Sequence, residues 1–301
     1  MKFINVKNSP DVAADGKKDD TKALQACLDA AEEGGTVYFP DGIYLISAAL
    51  IFYSGQHLIF SDGATLLRSA KSEPVTRYIL ASYSEPSVDG YDGTHDVVIR
   101  GGTFDGNAET DEFLTIVNTV RCTNITVEGC RFVHGAGWHC IEFNSTRGAT
   151  VRGCTFDGAS YTRMREDLSN ELIQTDAPDV NSYGPVYDCD GKLIDFRMGK
   201  TPCEQILIEN NLFKCAGYPA IGNHGDHAHR EITIRGNIFD GPCATEDGRS
   251  RGYVTFMPHV TGIRAVGNVF LTHGTDPGEC GIFQIKNPDP DALSEDDNLV
   301  L

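Results

Sequence analysis

Tryptophan occurs once and methionine four times in the 301 residues, and the basic side chains number 25 against 43 acidic ones. The resulting formal charge of −18 argues against a nucleic-acid binder, because phosphate contacts need a basic surface. A polyanion is an equally poor partner unless a metal ion bridges the two. No run of about 18 apolar residues occurs, so no stretch reads as a membrane-spanning helix. The ten cysteines contain no CxxC pair, so zinc-ribbon spacing is missing. No Gly-rich phosphate loop, Gly-x-Ser-x-Gly elbow or Cys–His nucleophile pattern stands out. The opening residues, Met1 to Val6, are too short and polar for a signal peptide. A cytoplasmic location and free, buried thiols are therefore expected. Forty per cent hydrophobic and 23% charged residues suit a folded chain, here read as one domain.

What the sequence does contain is a repeat. Six segments align without gaps on a phenylalanine: 97–104 (VVIRGGTF), 125–132 (ITVEGCRF), 149–156 (ATVRGCTF), 206–213 (ILIENNLF), 232–239 (ITIRGNIF) and 263–270 (IRAVGNVF). Apolar residues stand seven and five places before each Phe, the period of a strand with one buried face. Gly or Asn three places before supplies a tightly bent corner. Coils of roughly 24 to 30 residues built this way are rungs of a parallel β-helix. Asn211, Asn237 and Asn268 share one corner position with Cys130 and Cys154, which predicts a stacked ladder. A further strand per rung is predicted at 113–118, 139–144, 171–176, 220–224, 253–257 and 282–286.

Ahead of the repeats, Ala23, Leu24, Cys27, Leu28 and Ala31 lie on one face of a helix that Asp20 or Thr21 can cap. Such a helix suits the open end of a β-helix. The stretch ADGKKDDTKALQACLDAA…GGTVYFPDGIYLI, residues 14–46, resembles the N-terminal segment of the pectate-lyase-like superfamily. That resemblance implies an all-β, single-stranded, right-handed parallel β-helix. It also implies one of the superfamily's chemistries: inverting glycoside hydrolysis as in polygalacturonases, polysaccharide elimination, or tailspike-like depolymerisation. The expected organisation is a cap segment over 1–50, coils over 51–286 and a loose acidic tail over 287–301.

Length variation concentrates in loops 157–170, 177–202, 225–231, 240–251 and 271–280. These loops are expected to wall an open groove whose floor is the further strand of each rung. With Ile141, Phe143, Ile173, Thr175 and Ile221 inward, the period of two turns Glu142, Asn144, Gln174, Asp176 and His224 outward. Two columns follow: Asn144, Asp176, His224, Met257 and Lys286, and beside it Glu142, Gln174, Gly222, Thr255 and Gln284. Glu142 and Asp176 are then one rung and two residues apart, roughly 8 Å between backbones. Carboxylates about 6.5–9.5 Å apart suit inversion at an anomeric carbon.

The expected catalytic residues are Asp176 as principal acid/base, assisted by Glu142 or Glu171, with His224 tuning it or holding the sugar. Expected substrate contacts are Asn144, Gln174, Trp138, Arg197, Lys286, Asp188 and Asp190. The run His224-Gly-Asp-His227-Ala-His229 has zinc-like spacing, but a surface loop with one functional histidine is the preferred reading, and no metal site is assigned. Compared with polygalacturonase-like hydrolases, Asp176, Asn223-His224-Gly225 and Gln284-Ile285-Lys286 occur in similar order. The Asn-Thr-Asp-Gly and Asp-Asp motifs are replaced by Glu142-Phe143-Asn144 and Gln174-Thr175-Asp176, which disfavours galacturonide.

The function expected is cleavage of a glycosidic bond in an oligo- or polysaccharide, without a cofactor. Alternatives are a lyase, which would need a uronic-acid glycan, Lys286 or Arg197 as base and usually a divalent cation, and a non-catalytic glycan-binding or tailspike-like β-helix. A homo-oligomer is left open.

Overall fold

The computed structural model describes residues 2–83, 89–110, 112–135, 137–157, 171–178, 186–194, 199–214, 219–223, 225–241, 252–274 and 281–301. Among them the chain winds as a right-handed parallel β-helix of three sheets. The first sheet holds ten strands from Lys2–Asn5 to Leu293–Asp296, the second ten from Asp15–Asp19 to Leu299–Val300, and the third eight from Leu50–Phe52 to Phe283–Ile285. Every neighbouring pair within these sheets is parallel, and successive coils stay in register: Phe104 pairs with Phe132, Phe132 with Phe156, and Phe239 with Phe270.

The repeat explains the core. Phe104, Phe132, Phe156, Phe213, Phe239 and Phe270 form one column with ring centroids 4.7–5.4 Å apart. Phe39 and Phe60 extend it toward the N-terminus. At the corner between the first two sheets, Asn211 donates to Asn237, Asn237 to Asn268 and Asn268 to Asn298, each at 2.9–3.0 Å. Each of these amides also donates to a backbone carbonyl, so the buried corner is hydrogen-bonded throughout. The thiols of Cys130 and Cys154 continue the ladder by donating to backbone carbonyls.

The helix Thr21–Asp29 stands against the first strand of the third sheet. Gln25 accepts from Ile51 N–H at 2.8 Å and donates to Ile51 O at 3.0 Å, so a side-chain amide takes the place of a neighbouring strand. Asp20 occupies the N-cap position but does not cap. Its carboxylate instead accepts from the Ala13 and Ala14 N–H groups.

Two boundaries differ from expectation. Coils begin within residues 1–50, where Lys2–Asn5 and Gly35–Phe39 already pair. The acidic tail is a further coil rather than a loose end: Leu293 pairs with Ile263 and Leu299 with Val269. Its repeat is disguised because Glu295, Asp297 and Val300 replace the usual apolar residue, glycine and phenylalanine.

Candidate active site

The third sheet carries the polar cluster. Glu142 pairs in register with Gln174, and Asn144 with Asp176. The two carboxylates therefore occupy one diagonal of a four-residue square and the two amides the other. Within each strand the outward neighbours are bonded: Asn144 Nδ2 donates to Glu142 Oε1 at 3.1 Å, and Gln174 Nε2 to Asp176 Oδ2 at 3.0 Å. Thr115 Oγ1 donates to the other oxygen of Glu142 at 3.1 Å. The Ala177 N–H donates to Asp176 Oδ1 at 2.7 Å.

Burial is the first correction. An open groove would expose these side chains, yet Glu142 is 4% exposed and Asp176 0%. Described residues that follow Asp176 in the chain pack against this part of the molecule. Ser145 Oγ donates to Thr201 O, Tyr91 Oη to Pro202 O, and Val186 packs with Ile51, Tyr78, Ala81 and Val120.

Sequence periodicity missed three members of the site. Asn118 shares the column of Glu142 because the strand runs Thr115–Val120, two residues beyond the expected span. Its Oδ1 accepts from Asn144 Nδ2 at 3.0 Å. His227 closes on Asp176, with Nε2 3.2 Å from Oδ1. Gly225 permits that approach, since a Cβ there would stand 2.8 Å from both Asp176 Oδ1 and His227 Cδ2. His229 is fully buried, and its Nδ1 accepts from the Cys203 N–H at 2.8 Å. That bond fixes the neutral tautomer with its proton on Nε2, and burial lowers the imidazole pKa to about 4. The only signal in the sequence was the His-x-x-His-x-His run. The preferred reading of that run as a surface loop is corrected for His227 and His229, which turn inward.

The remaining expected residues scatter. Glu171 is fully buried, and its Cγ lies 3.3 Å from the position a Cβ on Gly222 would take. A bulge brings it there: Cys140 and Ile141 both donate to Leu172 O, as Ala220 and Ile221 both do to Tyr253 O. Trp138 is half-buried, stacked on Phe113 at 5.7 Å with Arg77 over its ring. Asp190 pairs with Lys22 at 2.8 Å, and Asp188 accepts from the Asp190 and Lys192 N–H groups. The structure thus places both of these aspartates beside the N-terminal helix, away from the carboxylate square. Lys286 is exposed, three rungs beyond Asp176 in the same column. His224 and Arg197 lie outside the described residues.

The other outer faces show what an ordinary surface looks like in this molecule. Glu128 sits between Arg100 and Arg152, Glu204 between Arg147 and Arg230, and Asp157 between Arg131 and Lys214. Those acids are matched with cations. Among the described residues, Glu142 and Asp176 are held by amides, a hydroxyl, a backbone N–H and a histidine instead. Among the described residues, Asn118 Nδ2 and Asn144 Oδ1 have no partner, although both atoms are buried. One free donor and one free acceptor beside a carboxylate suit a hydroxyl, which can both donate and accept. Cys203 does not serve as a nucleophile here: its thiol donates to Phe143 O and Asp176 O, and burial pushes its pKa up to about 12.

A family model described as rhamnogalacturonase A/epimerase, pectate lyase-like, matches residues 3–66. The N-terminal coils are thus similar to that pectate-lyase-like family, and the fold of the described chain is a parallel β-helix. Over 220 residues, 66% of this chain, it is 26% identical to the plasmin and fibronectin-binding protein A of Streptococcus pneumoniae. The match spans 29% of that protein's length. The crystal structure of PfbA, a surface adhesin of Streptococcus pneumoniae, superimposes with a TM-score of 0.70 and 18% identity, covering 99% of this chain and 78% of that one. An exopolygalacturonase from Thermotoga maritima superimposes with a TM-score of 0.62 and 14% identity, covering 90% and 67%. The fold is thus shared by an adhesin and by a glycan-degrading enzyme.

Proposed function

We propose that the chain hydrolyses a glycosidic bond in an oligo- or polysaccharide with inversion, using Glu142 and Asp176 as its carboxylate pair. The observation that carries this reading is their diagonal placement, one rung and two residues apart. The backbone separation that follows from sheet spacings is about 8 Å, and with both side chains on one face it allows the carboxyl separation of about 6.5–9.5 Å that leaves room for a water. In its protonated form one carboxyl gives its proton to the leaving oxygen as the C1–O bond breaks. The other, ionised, takes a proton from the water that forms the new C1–O bond on the opposite face. Gln174 and His227 orient Asp176, and Asn118 and Asn144 receive a sugar hydroxyl. The reading requires the cover over the third sheet to part for substrate, since Asp176 has no exposed surface.

A second reading, glycan or protein binding without catalysis, draws on the likeness to the plasmin and fibronectin-binding protein. The experiment that separates the two is a screen of labelled oligosaccharides against the native chain, Asp176→Asn and Glu142→Gln. Hydrolysis predicts a saturated product of inverted configuration that both variants fail to form. An unsaturated product indicates elimination, and binding without turnover in all three favours the second reading.

A further inference from the structure

A cleft of about 590 Å³ opens between the turn after the N-terminal helix and the corner that follows the third sheet in the first coils. Tyr53 and Tyr83 form its floor on successive rungs, with ring centroids 5.3 Å apart and planes inclined at 42°. Tyr53 Oη donates to Asp29 at 2.8 Å, and both rings pack against the apolar cluster of Ile51, Tyr78 and Ala81. Glu32 and Glu33 wall one side, Asp92 and His95 the other. Among the described residues no lysine or arginine lines the cleft. Among the described residues, the side chains of Glu32, Glu33 and Asp92 enter no ion pair or hydrogen bond, in contrast to the matched acids of the first two sheets.

We infer that this cleft binds a pyranoside carrying a free amino group, at a site separate from the carboxylate square. Its volume lies within the usual range for small-ligand sites, about 300–1,000 Å³. Two packed tyrosine faces suit the apolar face of a sugar ring and attract a cation above them. Three uncompensated carboxylates in a chain of charge −18 draw a cation and repel a uronate. Continuing the register, Tyr53, Tyr83, Val120, Asn144 and Asp176 follow one another in a single column. Three rungs, about 14 Å, therefore separate Tyr83 from Asp176, and the apolar packing of Val120 with Val186 fills the interval. The inference does not depend on the hydrolytic reading.

The test is calorimetric titration of the full chain with a β-1,4-linked glucosamine trimer, its N-acetylated counterpart and a lysine-containing tripeptide. The glucosamine trimer should bind, more weakly as salt rises, and the other two at least about tenfold less tightly. The double variant Glu33→Gln, Asp92→Asn alters only exposed side chains, so the fold persists, and it should weaken the trimer by about tenfold or more. Failure of the glucosamine trimer to bind overturns the inference. So does equal binding of either comparison ligand, or undiminished binding by the double variant.

Discussion

His227 Nε2 stands 3.2 Å from Asp176 Oδ1, with both residues withdrawn from solvent. The contact joins the turn after the sixth strand of the third sheet to the fifth strand, so it fixes both the carboxylate and the loop above it. Replacing His227 by Leu leaves a buried carboxylate with one fewer partner. Urea unfolding at neutral pH should show a loss of about 2 kcal/mol, and turnover should fall more than binding. Unchanged stability would show that the contact carries no weight.

His229 makes stability pH-dependent in a defined window. Burial lowers its pKa from the ordinary 6.5 to about 4. The unfolded chain therefore takes up a proton below 6.5 that the folded chain refuses until about 4. Its contribution is complete above that upper value, is lost as the pH falls and levels off below the lower one. The span corresponds to about 3 kcal/mol. His229→Asn, whose Oδ1 can accept from the Cys203 N–H, should flatten the slope in chemical unfolding across this range. An unaltered slope would assign the dependence to other groups.

Gly222 is sterically required. A Cβ there would overlap the carbonyl oxygen of Thr255 on the next rung and crowd Glu171 Cγ. Because the obstacle is backbone, two coils would have to part, at about 3 kcal/mol or more. Gly222→Ala should give a lower melting midpoint and a poor soluble yield; a native-like midpoint would contradict the packing.

The asparagine ladder is cooperative. Asn237 donates to Ile208 O and Asn268 Oδ1, and accepts from both the backbone and side chain of Asn211. Asn237→Ala strands the buried Asn211 N–H and should remove about 4 kcal/mol, read by chemical denaturation. A loss below about 1 kcal/mol would mean that the corner does not depend on it.

Cysteine accessibility follows burial. Cys27, Cys122, Cys130, Cys140, Cys154, Cys189 and Cys203 are free, and all but Cys189 are buried. Thiol titration of the unfolded, unreduced protein should count at least these seven. In the native protein Cys189 should react first among them. A count below seven would show that described thiols pair in solution.

Much of the first two sheets was legible because the motif writes them directly. An apolar residue at alternate positions fixes the strand face, Gly or Asn marks the corner, and the Phe returns to the core. Asn298 escaped notice only because Glu295 and Val300 weaken the pattern around it. The third sheet was less legible. Leu50–Phe52 and Tyr78–Ser82 are buried on both faces, because Ile51, Tyr78 and Ala81 join Val120 and Val186 in a second apolar cluster. Sequence alternation marks one covered face and carries no signal for two.

The sequence alone determined the coil, its register and the outward direction of Glu142, Asn144, Gln174 and Asp176, since each depends on residues a few places apart. Tertiary structure decided what those side chains meet. Asn118 entered the site when its strand shifted by two residues, and Glu171 reached Gly222 through a bulge. His227 arrived by a turn that Gly225 alone leaves room for. Val186 joined the apolar cluster on the outer face, and Asp190 met Lys22 with Asp188 beside it. These outcomes depend on backbone bends and on the packing of distant segments, which local periodicity does not encode.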